Sequence, residues 1–512
     1  MKNFRTIALF TVIFVILGGF AVAENEKILK VDVGMLPDSL DPVADMNYAS
    51  WTVLANIGGT LFGLNQDNEI SFELAESVKR SKKDKRCYEI KIKDNLTFHD
   101  GSPLTAYEVA FSLKRAGRLA KESEVRSLID AGRIKALDRK TVQVCSKNEN
   151  DFFLYSLSLP VSSIVSPKHV YENKKGFRNN KPIMAGFYKI EKMTKDTIQL
   201  RIHENHPYVK RYPKAPQEII MYHYENHIPA ASSIYRERMK EGKVNFLVDN
   251  GGNFSDYLKN SDSNQYNKLA LSMNNTHFMT INNAEHSRLK DTKIRNALAA
   301  AVHRYYDSKP FKETPSNKRA YQLFPESFLG QIQNPPVQRV EDYEDIYKKL
   351  RKAPIHLKFV LSDSDKGSTS KYVFDFFKYY EQYGFIMKPV YLSKEEALRQ
   401  TREKKGYDLR MYFIPFISGD PTTIFRIDFL EKFVALYDPK RKVRKLIEDS
   451  KKLSSKQTRV KMAHKLSKTF LEQSLIIPIY HSGPVYWTTK DFRLEKVNTR
   501  TAEINFWEVE VL

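Results

Sequence analysis

Cysteine is nearly absent, with Cys87 and Cys145 the only two in 512 residues. Two thiols are too few ligands for a cysteine metal site, and in an oxidising compartment they are either one bridge or two buried free thiols. Catalytic signatures are missing as well. There is no Gly-x-Ser-x-Gly, no His-Glu-x-x-His and no catalytic cysteine motif, which weakens any reading as an extracytoplasmic enzyme. No apolar run after Phe20 approaches the roughly 20 residues that span a bilayer. The basic-aromatic platform of a single-stranded nucleic-acid binder is absent too, so no nucleic-acid partner is expected. Negative charge is scarce: 61 Asp and Glu face 83 Lys and Arg, a formal net charge of +22. Such a field favours an acidic ligand, or attraction to anionic membrane or cell-wall surfaces, unless it is only a solvated lysine-rich surface.

What is present begins with an export signal. Lys2 and Arg5 precede an apolar run from Ile7 to Phe20, and Ala21-Val22-Ala23 supplies the small residues of a cleavage site. Residues 1–23 therefore read as a secretory signal peptide, with a soluble mature protein beginning near Glu24. The remaining length carries a prior of about three domain-sized bodies.

The most readable stretch is 74–113. Tyr88, Ile90 and Ile92 alternate with Glu89, Lys91 and Lys93, which predicts a strand with one buried face. Phe98-His99-Asp100-Gly101-Ser102-Pro103 predicts a change of direction, with Asp100 bonding its own backbone. Thr105 and Glu108 form a capping box, and Ala106, Val109, Ala110 and Leu113 recur behind it at helical spacing. The two cysteines sit on strand-like runs that, as antiparallel neighbours, would place them face to face.

This succession resembles the signature of the family 5 extracellular solute-binding proteins, the substrate-binding subunits of peptide and nickel ABC importers. The matching residues are Leu74-Ala75-Glu76-Ser77, Phe98-His99-Asp100-Gly101 and Thr105-Ala106-Tyr107-Glu108-Val109-Ala110-Phe111-Ser112, with Tyr107-Glu108 replacing the family's acidic pair. Further matches are Pro37-Asp38-Ser39-Leu40-Asp41-Pro42, Asn56-Ile57, Asn205 with Pro207 and Tyr208, the apolar helix stripe Ile294, Ala297, Leu298, Ala301, Val302 and Tyr305, and Ile477-Pro478-Ile479-Tyr480. Lys181 to Tyr188 stands where relatives have Gly-x-Gly-Pro-Tyr and reads as a remodelled loop. No cysteine follows the cleavage site to take a lipid, so a free periplasmic protein is expected.

The resemblance implies an α/β periplasmic binding protein-like fold, two lobes joined by a two-stranded hinge. Lobe one is expected from 24–63, 181–277 and 479–512, an extra small domain from 64–180, and lobe two from 278–478. Crossings between lobes are expected near 278–283 and 476–481. The implied role is that of a monomeric substrate-binding subunit that takes a peptide or peptide-like solute in an interlobe cleft and delivers it to the membrane permease, without a cofactor. A basic cell-wall or polyanion-binding protein on the same fold is the alternative, and nickel chelate, haem and glycan are alternative solutes.

Ligand contacts are implied at Met35, Pro37, Asp38 and Ser39 in the loop after the first strand, and at Asn56. They are also implied at Arg410, Ile417, Ser418, Gly419 and Asp420, in and after the strand that opens with Tyr407-Asp408-Leu409. Peptide-binding relatives carry, at the position of Ile417, an aspartate that pairs with the peptide's amino terminus, and Ile414 replaces a nearby tryptophan. Either Asp420 takes over that ammonium or the ligand lacks one, because a buried ammonium without a carboxylate is costly. The positive charge favours an acidic or amine-blocked ligand. Two histidine groupings, His203 to His206 and His223 to His227, lack the His-Glu-x-x-His spacing. On a strand, residues four apart lie too far apart for one ion, so no metal is expected.

Overall fold

The computed structural model describes residues 28–33, 36–37, 39–44, 48–65, 69–120, 124–172, 181–222, 237–249, 263–308, 313, 317–326, 328–363, 371–416, 419–425, 438, 441–498 and 504–512. Three sheets dominate. The first has seven strands in the order Tyr266–Ala270, Val485–Thr489, Phe246–Asp249, Leu29–Asp32, Glu218–Tyr222, Thr197–Ile202 and Tyr188–Met193. Its centre is parallel, since Leu29–Asp32 runs alongside both Glu218–Tyr222 and Phe246–Asp249. Alternating Ile198, Leu200 and Ile202 join Leu29, Val31, Ile219, Met221 and Phe246 in one core.

The second sheet has six strands, Asn317–Arg319, Ile476–Ser482, Asn275–Ile281, Leu409–Pro415, Ile355–Ser362 and Phe385–Leu392. Both of its faces are covered. The stripe of the helix Thr292–Asp307 packs on one face, with Ala297, Leu298, Ala301 and Val302 fully buried against Met279, Ile281 and Ile479. The helices Lys442–Ser450 and Lys456–Glu472 close the other face over Phe278, Ile414 and Ile476.

A third sheet of four strands, Ala75–Arg80, Cys87–Ile92, Thr141–Cys145 and Lys135–Ala136, lies wholly within 64–180. Its core also draws in Val43, Phe62 and Ala185, so this unit is packed onto its neighbour along a continuous apolar seam. The strand Cys87–Ile92 alternates as its sequence dictates, with Glu89 and Lys91 exposed. The helix Ala106–Leu119 starts at the capping box: the Thr105 amide donates to Glu108 Oε2 at 2.8 Å, and Tyr107 N donates to Thr105 Oγ1 at 3.3 Å.

Cys87 and Cys145 are directly opposed in this sheet and are joined as a disulfide across a sequence separation of 58. Denatured, unreduced protein is therefore expected to show no reactive thiol. Reduction, or Cys87→Ala with Cys145→Ala, should cost about 2–4 kcal/mol by freeing a long loop in the unfolded chain. Thiol titration together with urea midpoints checks both statements.

The chain passes from the first large sheet to the second through 271–274 and returns through 483–484. These passages lie just outside the expected crossings, because Asn275–Ile281 and Ile476–Ser482 belong entirely to the second sheet. They run side by side: Leu271 N donates to Pro484 O at 3.0 Å and Asn274 N to Ser482 O at 3.0 Å. No helix among the described residues is long and apolar enough to cross a membrane.

Candidate functional site

In sheets with parallel strands, ligands sit beyond the carboxyl ends, where loops and unpaired backbone collect. Both large sheets turn those ends toward the two passages. Asp249, which ends its strand, is registered with Val485, and Pro415, which ends its own, is registered with Asn275. The described part of the loop after Asp32, with Pro37 and Ser39, follows one of these ends, and Phe416, Gly419 and Asp420 follow the other.

On that second side one strand is paired along only part of its outer edge. Leu409–Pro415 pairs with Asn275–Ile281 over all seven residues, but with Ile355–Ser362 only at Leu409 and Arg410. From 411 to 415 its outer edge has no strand partner among the described residues.

The implied contact residues divide. Pro37 and Ser39 are half-buried in the loop, where Ser39 Oγ accepts from Asp41 N at 3.1 Å. Asp41 in turn takes both Arg115 Nη1 and Nη2 at 2.7 Å, fixing the loop to the helix Ala106–Leu119. Gly419 meets the unit of the third sheet, where the Tyr155 ring packs so closely that a Cβ would come within 2.6 Å of Tyr155 Cδ1. Met35, Asp38, Ile417 and Ser418 lie outside the described residues, as do His223 and His227.

Two implied contacts are corrected, Asn56 and Asp420, and the position of a third, Arg410, follows them. Asn56 is fully buried and spends its amide on the fold: Nδ2 donates to Thr52 O at 2.9 Å and Ile504 O at 2.8 Å, and Oδ1 accepts from Phe506 N at 2.9 Å. It ties a helix end to the C-terminal segment and has nothing left for a ligand. Asp420 is 2 % exposed, and its Oδ2 takes Arg459 Nη1 at 2.6 Å while Oδ1 takes Thr422 N at 2.9 Å and Thr422 Oγ1 at 2.8 Å. A carboxylate so engaged cannot anchor a ligand ammonium as well. Arg410 sits at the far end of its strand, roughly 17 Å from Pro415 at 3.4 Å per residue. Its guanidinium carbon lies 4.2 Å from the Tyr412 ring centroid, and its buried Nη1 has no hydrogen-bond partner among the described residues.

Sequence reasoning missed Arg459, Tyr155 and Phe413. Arg459 had a signal: it shares the apolar stripe of Ala463, Leu466 and Phe470, where a buried arginine demands a partner. Phe413 is 57 % exposed on the strand Leu409–Pro415, an unusual place for a phenyl group, but no local pattern marks it.

A second polar cluster lies at the seam between the third sheet and the first. The rings of His99 and His203 are 5.2 Å apart and those of His203 and His206 are 6.4 Å apart. Backbone contacts assign each neutral tautomer. His99 Nε2 donates to Gly186 O while its Nδ1 accepts from Met184 N. His203 Nδ1 donates to Gly186 O and its Nε2 accepts from Thr97 Oγ1. His206 Nδ1 accepts from Tyr208 N, leaving Nε2 3.8 Å from Glu73 Oε1. The lone pairs point at separate protein donors rather than at a common point, and no metal-binding group of three is found among the described residues. Burial holds His99 down to about 3 and pushes the Glu73 carboxyl up to about 7. His203 and His206 are lowered for the same reason.

Comparisons with known proteins agree with this architecture. In sequence, the chain is 28 % identical to the dipeptide-binding protein DppE of Bacillus subtilis (strain 168) over 173 residues, 31 % of this chain and 32 % of that protein. It is 30 % identical to the glutathione-binding protein GsiB of Pectobacterium atrosepticum over 164 residues, 31 % of each. These matches span about a third of the length of either relative. Among solved structures, the substrate-binding protein CtaP of Listeria monocytogenes superposes with a TM-score of 0.77 at 17 % identity, covering 95 % of this chain and 99 % of that one. DppA of Helicobacter pylori, in complex with the peptide STSA, gives 0.75 at 17 % identity over 95 % and 98 %. At that identity they establish the two-lobed fold. The model for bacterial extracellular solute-binding proteins, family 5, matches residues 69–426, and with the fold and cleft above it places the chain in that family: it is a family 5 solute-binding protein.

Proposed function

We propose that the protein is the exported, monomeric substrate-binding subunit of an ABC importer, and that it takes a peptide-like solute between its lobes and hands it to the permease without chemical change. The observation that carries this reading is the family 5 match over residues 69–426 on two large sheets joined by the paired passages 271–274 and 483–484, the layout in which a solute is held between lobes. Relatives named for dipeptide or glutathione binding support the class of ligand.

The end group is narrower. Ile417 replaces the aspartate that holds the amino terminus in peptide-binding relatives, and Asp420 is committed to Arg459. The ligand we infer therefore has no free ammonium at that end, being acidic or amine-blocked.

Mass spectrometry of small molecules released from natively purified protein tests both levels. Blocked or acidic peptide-like solutes are expected. Ordinary peptides with free amino termini would overturn the end-group reading. Absence of any small solute, with salt-dependent binding to anionic polymer instead, would overturn the importer reading in favour of a polyanion-binding protein. Closure about the two passages should also lower the radius of gyration when the identified ligand saturates the protein, as small-angle scattering measures.

A further inference from the structure

Residues 151–155 of the third-sheet unit touch lobe two. Asp151 N donates to Ser454 O at 3.0 Å, and Asp151 Oδ2 accepts from Lys456 N at 3.1 Å. Tyr155 packs on Gly419 beside them. Ser454 and Lys456 flank the start of the helix Lys456–Glu472, whose own cap, Ser455 Oγ, takes Thr458 N at 3.2 Å. The first turn of a helix carries amides without intrahelical partners, and the helix dipole favours a carboxylate beside them. One such amide is thus capped from within lobe two and another by a carboxylate from the unit packed on lobe one.

Each half of the contact is held by its own body. Arg80 places Nη1 3.2 Å from Asp151 Oδ1 and Nη2 3.2 Å from Glu149 Oε1, while its Nε donates to Lys85 O at 2.6 Å, so the carboxylate is oriented by its own unit. On the other side Arg459, paired with Asp420, donates to Leu453 O and fixes the turn that presents Ser454 and Lys456. One carboxylate and one main-chain bond are a small contact beside the cores of the two lobes, of the strength that shifts an equilibrium between arrangements rather than locking one. We propose that Asp151 is a closure latch: it caps the helix Lys456–Glu472 when the lobes are together, and so sets how much of the ligand-free protein is already closed. A solute that needs the closed form binds more tightly in proportion to that fraction. The latch depends on the two-lobed arrangement and holds for any solute, so it goes beyond the ligand reading above.

The test is pulsed electron spin resonance distance measurement on the purified protein, with spin labels at Lys83→Cys and Lys461→Cys, exposed positions on either side of the contact. The only native cysteines are bonded to each other and take no label. Bound solute is first removed by dialysis out of guanidinium chloride. Ligand-free wild type should show a short-distance population whose ratio to the long-distance one falls about tenfold in Asp151→Ala. It should fall further in Asp151→Lys, which sets a cation against Arg80 and the helix start. Glu149→Ala removes the other partner of Arg80 and should leave the ratio near that of wild type. Unchanged distances in both Asp151 variants would overturn the latch. So would an equal shift in Glu149→Ala, which would make the Arg80 cluster a support of its own unit only.

Discussion

Unfolding free energy is expected to begin falling between pH 7 and 6 and to fall by about 4 kcal/mol or more between pH 6 and 4. Burial lowers His99, His303 and His481 to about 3 in the folded protein, against an ordinary value of 6.5. A group depressed on folding gives stability that is complete above its unfolded pKa and lost as pH falls toward its folded one. Each of the three then loses about 2–3 kcal/mol from pH 6 to 4, and His203, His206 and His277 act in the same direction. Glu73 and Glu508 work the other way. Their folded values are pushed up to about 7 by burial, so they cost stability at neutral pH and return about 2 kcal/mol each on acidification. The carboxyls offset part of the histidine slope above pH 6, and the histidines prevail more strongly below it. Urea titrations at pH 7, 6, 5 and 4 measure the profile, and an unfolding midpoint constant down to pH 4 would sink the prediction. His99→Asn, which keeps an acceptor for the Met184 amide, should flatten the acid limb.

Asp420→Ala should destabilise the protein by about 3–5 kcal/mol, because it strands the Arg459 guanidinium in a site where both side chains are at most 1 % exposed. Arg459 Nη2 also donates to Leu453 O, so its charge cannot swing out without breaking the turn before the helix Lys456–Glu472. The double variant Asp420→Leu with Arg459→Met removes both charges and should recover most of the loss. Thermal melts of the two variants decide the matter. A single variant as stable as wild type would mean that the pair is solvated, and Asp420 would return as a candidate ligand contact.

Local pattern carried much of the fold into view. The strand Cys87–Ile92 and the helix Ala106–Leu119 were legible because alternation, a capping box and helical spacing are properties of neighbouring residues. The site was legible only by position along motifs. Resemblance marks Asn56 and Asp420 but not the direction of their side chains, which is set by Ile504 and Phe506 in one case and Arg459 in the other. The histidine cluster was hidden for the same reason: His99 meets His203 and His206 only after the third sheet docks on the first. The passages between sheets were displaced from expectation because sequence similarity identifies the strands and not the point where hydrogen bonding changes partners.

The two passages have a mechanical consequence. Laid side by side and bonded to each other, they are a flat ribbon rather than two independent tethers. Gly483 brings them into contact: a Cβ there would lie 2.5 Å from Ser272 O and 2.9 Å from Leu271 O. A ribbon bends easily across its flat side and resists shear in its plane, so the passages favour a door-like swing, whose closed side is marked where Asp151 N donates to Ser454 O at 3.0 Å. The rotational freedom that a loose tether surrenders on every capture has already been given up when this chain folds.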